Sequence, residues 1–490
     1  MLPSKAFSER LRALVPLVTV VFCVSQPLLD MLIFFASKND WSTLPTAILR
    51  FCQAGLIVGM GLILTRRKWV YALMGAAFGL YLAGHILACC RYGVIDLWLD
   101  LAEQLRILML PSLTLGFVTL FKANDRGLQA LGKGLLINLC LLVLSEILSV
   151  LTGTEPYTYT DTDRGIQGWF LWPNSQSAVI SLLSPLVIVY TLRRWKGRLL
   201  PLGLVCLASF GILYLNATRL AYASLVGTGL GLGVLVWYLD RERRRQGALI
   251  LFIGLAFLLL YPFSPMRETR QQMAENAGIK QSWIDEAVAQ YGVPAGSDRT
   301  DNQDALRAAY RYDLQGLVDR FGLQTTAKAY DNTLKASRIF DKRFKRLTFC
   351  KLLMEQAPAS SWVFGLEIGT TRQQTLLFDF YTRSWTPGVE IFEMEYDLYS
   401  VFYYCGIVGF CIVVGLVICV GLRALLTLLR HTRQRLNLEW IAFFMAYGIC
   451  VIYGCFTISV VRQTNASVFF ALSMAGLWTL TPNPRRNSAA

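Results

Sequence analysis

The chain has 490 residues, of which 54% are hydrophobic and only 16% are charged, and its formal net charge is +15. A soluble protein of this length carries far more charge, so the composition excludes a soluble enzyme and indicates a membrane protein. No compact basic domain is evident that could bind nucleic acid.

In chain order, apolar runs predict twelve membrane-spanning helices, because a helix of about 20 apolar residues crosses a bilayer. The first run follows a basic amino terminus and lacks a small-residue cleavage site, so we predict a span and not a signal peptide. The predicted spans are 13–36, 44–64, 69–90, 98–121, 133–151, 175–192, 199–216, 220–239, 247–262, 397–422, 438–458 and 466–482.

The connections between these spans predict the orientation, because basic loops stay in the cytoplasm. Both termini and every second connection together carry 23 Lys or Arg, whereas the short connections on the other side carry very few. Both termini are therefore predicted to be cytoplasmic, on a face that should also attract anionic lipid headgroups. The basic connections are 65–68, 121–133, 193–198, 241–246 and 423–435.

One connection on the outer side is much longer than the others. Residues 263–396 contain 17 basic and 17 acidic residues, with apolar residues at helical spacing and plausible helix stops at Gly322 and Pro358. The fold class expected is therefore an all-α polytopic membrane protein of three segments. These are 1–262 with nine spans, a helical extracytoplasmic domain at 263–396, and 397–490 with three spans and a cytoplasmic tail.

Cysteine and histidine are distributed in a way that argues against metal or disulfide sites. The twelve cysteines lie mostly within apolar runs and form no CxxC pair, which is typical of buried thiols in spans. His85 and His431 are the only histidines, too few for a histidine-based zinc site. We therefore expect no metal.

Charged residues recur near the outer ends of the predicted spans. Such residues cost roughly 2.5–3.5 kcal/mol each at mid-bilayer, so they tend to persist where they are used, although snorkelling or pairing of Glu103 with Arg106 is the simpler explanation. Arg219 and Arg462 lie in very short connections, where a guanidinium could bind phosphate through two hydrogen bonds. The seven residues are Asp30, Arg50, Glu103, Arg106, Glu146, Arg219 and Arg462.

Three outer stretches carry further candidates. "RGIQGWFLWPN" (164–174) contains Arg164 and Asn174, and an aromatic belt with a Pro-Asn helix start explains all of it except Arg164. A predicted helix near 338–356 carries Arg338, Arg343 and Arg346, which could equally form a solvated face. "FEMEYD" (392–397) contains Glu393 and Asp397, which could act as a base or cap the tenth span.

At these residues the chain resembles the bacterial O-antigen ligase and polymerase superfamily. "RGIQGWFLWPN" resembles its Arg…Gly-aromatic…Pro-Asn segment, and "ATRLAYA" around Arg219 resembles its Ser-Arg-small-aromatic motif at a span start. The run from Arg346 to "FGLEIG", ending at Gly369, resembles its amphipathic helix and Gly-rich turn. "GIVG" (406–409) resembles its final outer segment. The likeness covers most of residues 160–480.

The resemblance implies a membrane glycosyltransferase of GT-C-like architecture in the bacterial inner membrane, without nucleotide sugar, metal or other cofactor. Its donor would be an oligosaccharide on polyprenyl diphosphate, and its acceptor a glycan or lipid-linked glycan. By the same resemblance, Arg219 and one of Arg338, Arg343 or Arg346, most directly Arg346, would stabilise the leaving diphosphate. Arg164, Asn174, Arg338, Arg343 and Arg462 would bind substrate.

One departure from the family is informative. Ligases that modify lipid A-core have a His in the last outer segment, where this chain has Glu393 and Asp397 instead. A base, if one operates, is then expected to be Glu393 or Asp397, which favours a surface-polysaccharide polymerase or a ligase with another acceptor. Two other classes stay open: a lipid-linked oligosaccharide flippase, which should line a path through the bilayer core with charge, and an envelope scaffold, which should tolerate loss of Arg219.

Overall fold

We describe a computed structural model of the chain. It defines the backbone of residues 5–92, 96–154, 157–159, 163–196, 198–272, 274–275, 321–322, 325, 344–379, 384–391, 396–430, 437–457 and 460–482. Side chains are described for the same residues except 344–349, 370–379 and 384–391. Arg338, Arg343 and Glu393 lie outside the described residues, and so does the side chain of Arg346.

The described chain is mostly helical, as the apolar runs predict. Its helices are α1 (Lys5–Lys38), α2 (Leu44–Leu64), α3 (Lys68–Tyr92), α4 (Leu97–Ala123), α5 (Arg126–Thr152), α6 (Pro173–Arg194), α7 (Leu199–Leu215), α8 (Arg219–Leu239), α9 (Arg244–Leu259), α10 (Phe344–Gln356), α11 (Ala359–Phe364), α12 (Asp397–Arg430), α13 (Leu438–Phe456) and α14 (Thr464–Leu480). Its strands are β1 (Tyr157–Tyr159), β2 (Arg164–Ile166), β3 (Arg372–Asp379) and β4 (Ser384–Ile391).

Nine helices in the described part are long and apolar enough to cross a membrane: α1 to α6, α8, α12 and α13. The protein is therefore a polytopic membrane protein. The other three predicted spans coincide with α7 and α14, apolar helices of 17 residues, and with α9, which has 16 residues. A helix of that length rises about 25 Å, slightly less than a hydrocarbon core of about 30 Å. The count of twelve spans remains a prediction.

The long connection contains both predicted and unpredicted structure. Residues 265–272 and α10 are helical, Gly322 has a φ of 83° directly after helical Phe321, and Pro358 immediately precedes α11. However, β3 and β4 pair antiparallel from Arg372 with Ile391 to Asp379 with Ser384, a hairpin that the helical interpretation did not include. The other helices predicted in this connection lie outside the described residues.

The Cα positions divide the chain into two compact units. Unit 1 comprises residues 1–77, 106–270 and 412–490, and unit 2 comprises residues 78–105 and 271–411. Unit 2 thus contains parts of α3, α4 and α12 as well as most of the long connection. The three segments expected from the sequence describe the order of spans along the chain, and their boundaries remain a prediction.

In unit 1, α6 forms the centre and packs against α5, α7, α8, α13 and α14. Almost all of its side chains are buried, including four serines and Gln176. One of these neighbours, α8, forms an antiparallel pair with α9 through glycine. A Cβ on Gly229 would lie 2.8 Å from Gly254 Cα, and one on Gly233 would lie 2.8 Å from Leu251 N. Small residues allow this backbone contact, as is common between membrane helices.

The helices of unit 1 alternate in direction, which gives the unit two distinct ends. One carries the β1–β2 hairpin together with the starts of α6, α8 and α14, and we call it the hairpin end. The other carries the connections α2–α3 and α4–α5 and the ends of α12 and α14, and we call it the basic end because the Lys-rich and Arg-rich connections meet there.

Candidate functional site

Arg219 is the first residue of α8 and lies exposed at the hairpin end. The Thr218 hydroxyl accepts a hydrogen bond from the Ala221 N–H at 3.3 Å and so caps the helix. Within the described part of the chain, Arg219 forms no ion pair. Because the helix dipole adds positive potential at the same point, the start of α8 can attract an anion.

The turn before Arg219 is unusual in two respects. Ala217 has a φ of 62°, a conformation that residues other than glycine rarely adopt and that often marks a functional site. The Asn216 side chain is fully buried, and neither its amide oxygen nor its amide nitrogen has a hydrogen-bond partner among the described residues. Such backbone and side-chain strain is retained where the surrounding structure imposes it.

The β1–β2 hairpin brings Arg164 to this turn. A Cβ on Gly165 would lie 2.8 Å from the Cβ of Ala217, so only glycine allows β2 to contact the turn that precedes Arg219. Arg164 is half exposed, and its Nη1 lies 2.7 Å from Oε2 of Glu268. No local pattern marks Glu268 as this partner, since it belongs to a connection more than a hundred residues away.

The remainder of the 164–174 segment lies across the end of α5. Gly168 contacts the backbone of Glu146, and the Trp169 N–H donates to Ser145 Oγ at 3.1 Å. Gln176 donates to the Gln167 carbonyl at 2.7 Å and to Glu146 Oε1 at 3.3 Å. Asn174 follows Pro173 in the first turn of α6 and is exposed. Apart from the exposed Trp172, the intervening residues are buried or half-buried, whereas Arg164 and Asn174 at the two ends are exposed.

Two other predicted charges at the hairpin end are tied into the helix packing. Arg50 pairs with Asp30 and donates to Thr464 Oγ1 at 2.7 Å, which joins α1 and α2 to the start of α14. Asn465 hydrogen-bonds Asp30 and accepts from Ser175 of α6. Arg462, two residues before α14, is only 7% exposed. Asp30 and Arg50 therefore neutralise each other and hold helices together.

In unit 2, two of the family-like motifs lie against each other. Gly365 (φ 94°) and Gly406 (φ 61°) pack backbone to backbone, and a Cβ on Gly406 would lie 2.5 Å from Gly365 N. The Leu366 N–H donates to the Tyr403 carbonyl at 3.0 Å. The "FGLEIG" turn is thus fixed to α12 where "GIVG" begins. Asp397, the first residue of α12, precedes Gly406 in the same helix, and its side chain is fully buried.

A buried polar network holds the same turn from the other side. His85 Nδ1 lies 2.6 Å from the Phe364 carbonyl, and its Nε2 lies 2.7 Å from Asp100 Oδ2. Asp100 Oδ1 accepts from the Ile368 N–H at 3.0 Å. Since a carbonyl can only accept, Nδ1 carries a proton, and His85 and Asp100 share a second one. Glu367 extends the network by accepting from the Asp96 N–H.

Sequence reasoning missed this network. His85 enters the sequence-based prediction only as one of two histidines, and the charged residues singled out in α4 are Glu103 and Arg106 but not Asp100. An intramembrane His is itself a signal, because ionisable residues in spans usually have a partner. What the sequence could not show is that the partner is Asp100 and that both hold a turn nearly 280 residues later in the chain.

The same network contains the group of described residues best placed to hold a metal ion. One ligand atom each from His85, Cys89 and Asp100 lie within 4.8 Å of one another, and all three side chains are buried. A cation there would have to replace the hydrogen bond between His85 and Asp100. His85 Nδ1 and Asp100 Oδ1 bond Phe364 and Ile368, and Nε2 and Oδ2 bond each other, so the structure shows these groups as a hydrogen-bonded network. The expected absence of a metal stays a prediction.

The predicted site residues therefore fall into three groups. Unit 1 brings Arg164 close to the turn that precedes Arg219, with Asn174 and Arg462 at the same end. Unit 2 contains Asp397 and the backbone of Arg346. The meeting of Arg219 with Arg346 and Asp397 stays a prediction, as do the roles of the residues outside the described part.

Comparison with known proteins gives one positive result. A search of curated proteins finds no significant match. The family described as "O-antigen ligase like membrane protein" matches residues 14–480, nearly the whole chain. The matched range includes both the turn before Arg219 and the paired motifs of unit 2. The chain belongs to the O-antigen ligase like membrane protein family.

Proposed function

We propose that the protein is a GT-C-like glycosyltransferase that transfers or polymerises glycans carried on polyprenyl diphosphate, at the extracytoplasmic face of a bacterial inner membrane. Membership of the family supports glycan transfer in a membrane. The observation that carries the proposal is the start of α8, where an exposed Arg219 without an ion pair in the described chain follows a strained turn. This combination suits the phosphate groups of a lipid diphosphate.

The proposed reaction is a substitution at the anomeric carbon of the donor sugar. An acceptor hydroxyl forms the new glycosidic bond, the bond from the anomeric carbon to the diphosphate oxygen breaks, and the lipid diphosphate leaves with the electron pair. Arg219 stabilises the charge that develops on the leaving group, since a guanidinium stays protonated and binds phosphate oxygens in pairs. Arg346 supplies the second positive charge, and no metal is required.

The other residues of the site bind the two substrates. Arg164 is held beside the Arg219 turn by β2 and by its ion pair with Glu268, so part of its guanidinium remains available for the donor. Asn174, Arg338, Arg343 and Arg462 complete the binding of donor and acceptor. Glu393 or Asp397 removes the proton of the acceptor hydroxyl. This carboxylate takes the role that the His has in ligases that use lipid A-core.

Reconstitution tests the proposal directly. The purified full-length protein is placed in liposomes with a polyprenyl-diphosphate oligosaccharide, with and without a glycan acceptor, and the products are separated by size. We expect longer glycans on the lipid, or transfer to the acceptor, with release of lipid diphosphate. Glycans of unchanged length throughout would contradict a transferase.

The same liposomes distinguish the second candidate, a flippase for lipid-linked oligosaccharides. A flippase would change the leaflet of the labelled lipid without changing its glycan, which leaflet-specific lectin binding detects. Among the described residues of unit 1, Arg50, Glu146, Arg164 and Arg219 lie at the hairpin end and not between the two ends. We therefore expect glycan transfer without accelerated movement between leaflets.

A further inference from the structure

The basic end of unit 1 contains a cavity that the proposed transfer reaction does not use. It has a volume of about 1230 Å³ and opens to the surface. Its mouth is formed by the start of α1, the α2–α3 turn, and the ends of α4, α12 and α14. Five cationic side chains and one carboxylate line it: Arg12, Arg66, Arg67, Lys122, Arg423 and Asp125.

The described residues that line this mouth leave an excess of positive charge, since they include five cations and one carboxylate. None of the five cations forms an ion pair among the described residues. The sequences of the neighbouring segments 1–4, 431–436 and 483–490 contain no Asp or Glu. Arg423 and Arg67 both act on Lys122 by like-charge repulsion. Gathering these cations costs electrostatic free energy that a bound anion would offset.

Arg423 is already held in a fixed orientation. Its guanidinium stacks on Trp478 with 4.0 Å to the ring centroid, and its Nη2 donates to the Thr481 carbonyl at 3.2 Å. Trp440 in turn donates to Thr481 Oγ1 at 3.0 Å, which anchors this segment. The remaining N–H groups of Arg423 have no acceptor within the described part of the chain. A guanidinium held in this way binds phosphate with little loss of side-chain entropy.

Behind the mouth the cavity continues as an apolar shaft. Its lining runs along α4 from Lys122 back to Pro111, which spans about 16 Å of helix. Leu115 and Val118 of α4 line this stretch, and Leu416 and Val420 of α12 line it as well. The hydroxyls of Tyr71, Thr114 and Thr119 also line it, and each donates a hydrogen bond within the protein. The cavity is therefore cationic at its opening and apolar in its depth, the arrangement that an amphiphile requires.

We propose that this cavity binds an anionic phospholipid, one whose phosphate-bearing headgroup has a net negative charge, taken from the membrane leaflet at the basic end. Arg67, Lys122 and Arg423 bind the phosphate oxygens, and a hydrocarbon chain occupies the shaft. The site lies at the opposite end of unit 1 from Arg219. It is thus separate from the proposed transfer reaction and does not depend on it.

The test uses the full-length protein in detergent, with titration of short-chain phosphatidylglycerol, short-chain phosphatidylcholine and inorganic phosphate, and native mass spectrometry to count bound lipid. The double variant Arg67→Gln/Arg423→Gln removes two cations from the mouth. Its control, Arg193→Gln/Arg244→Gln, removes two exposed cations from the same end outside the cavity. We expect phosphatidylglycerol binding to weaken about 100-fold in the first and to stay unchanged in the control.

A third variant separates the lipid from free phosphate. Val118→Phe narrows the shaft, so it should weaken phosphatidylglycerol binding and leave any binding of inorganic phosphate unchanged. Equal loss in both double variants would reduce the effect to general charge attraction. Inorganic phosphate binding as tightly as the lipid, or phosphatidylcholine binding as well as phosphatidylglycerol, would contradict a site for an anionic phospholipid. No glycan donor enters these measurements, so their failure is distinct from failure of the proposed function.

Discussion

At the scale of single residues, burial separates the charges that the sequence places near the outer ends of the spans. Arg219 and Arg164 are exposed, whereas Asp30 and Arg50 pair with each other inside the helix packing. An exposed guanidinium can exchange water for a ligand, but a buried ion pair cannot be opened without leaving a charge unpaired. Exposure therefore favours Arg219 and Arg164 as ligand contacts.

The first residue-scale prediction concerns Arg219. We expect Arg219→Ala to lower glycan transfer about 100- to 1,000-fold, because a charged group that stabilises the leaving group contributes roughly that much. Arg219→Lys keeps the charge but loses the two-bond geometry, so it should recover only part of the rate. The measurement is the initial rate of glycan lengthening in liposomes at equal protein content.

The control for Arg219 is Arg244→Ala. Arg244 is also exposed and is also the first residue of a helix, but α9 begins at the opposite end from α8. Its loss should leave the rate within about twofold, since surface substitutions away from a site have small effects. Similar rates for the two alanine variants would remove Arg219 from the reaction.

The second residue-scale prediction concerns the buried pair in unit 2. His85→Ala leaves Asp100 buried without its partner, which should cost about 3–5 kcal/mol of stability. Asp100→Asn should be tolerated within about 1 kcal/mol. Its amide can donate to His85 Nε2 while its oxygen still accepts from the Ile368 N–H. The readout is the temperature at which the detergent-purified protein loses its monomeric elution peak.

This comparison tests the hydrogen-bond assignment and not merely the importance of the position. A metal centre would be destabilised by both changes, because alanine supplies no ligand and an amide is a poor replacement for a carboxylate ligand. Equal destabilisation by His85→Ala and Asp100→Asn would therefore contradict the network. Cys90→Ala, which changes an exposed thiol in the same helix, is the control.

At the scale of elements, small residues decide which helices pair. α8 and α9 contact each other through Gly229, Gly233, Gly247 and Gly254, where an added Cβ would lie within 3 Å of the opposite backbone. The resulting pair fixes the direction of α8, and so places Arg219 at the hairpin end. Sequence periodicity predicts both helices, but it does not show which glycines face a neighbour.

Gly229 and Gly227 provide a matched test of this packing. Gly229→Val should destabilise the protein by about 1–3 kcal/mol through overpacking against Gly254. Gly227 lies in the same helix and has no atom within 4 Å of an added Cβ, so Gly227→Val carries the same propensity change without the collision. Thermal stability in detergent should fall for the first and stay near the unmodified value for the second.

The long connection shows where element prediction succeeds and where it does not. The helical spacing of apolar residues predicts α10 correctly. As expected, Gly322 follows a helical residue and Pro358 lies between α10 and α11. The β3–β4 hairpin was not predicted, because "RQQTLLFD" lacks strict polar–apolar alternation and β4 contains Pro387 and Gly388. Its strands are defined by pairing with each other, which a local pattern does not report.

At the scale of the whole molecule, basic connections alternate with connections poor in Lys and Arg, and this alternation predicts the membrane topology. In unit 1 the connections α2–α3 and α4–α5 and the ends of α12 and α14 all meet at the basic end, in agreement with the predicted alternation. Which side of the membrane this end faces is a prediction from the positive-inside rule. It places the hairpin end, and Arg219, outside the cytoplasm.

Labelling of single cysteines tests that orientation. In a background without the native cysteines, Asn39→Cys introduces an exposed thiol in the α1–α2 connection, and Glu242→Cys introduces one in the α8–α9 connection. A membrane-impermeant maleimide should label the first in intact spheroplasts and the second only after permeabilisation. The reverse pattern would place Arg219 in the cytoplasm and contradict transfer at the outer face.

The sequence by itself determined the class of protein, the positions of the long apolar helices and the alternation of basic connections, and its motifs indicated the family. These properties follow from hydropathy, charge and short local patterns, which any stretch of chain carries independently of its neighbours. The tertiary structure decided which charges are exposed, that Arg164 lies beside the Arg219 turn, and that His85 and Asp100 hold the "FGLEIG" turn. Such facts depend on contacts between residues far apart in the chain, whose geometry local patterns do not encode.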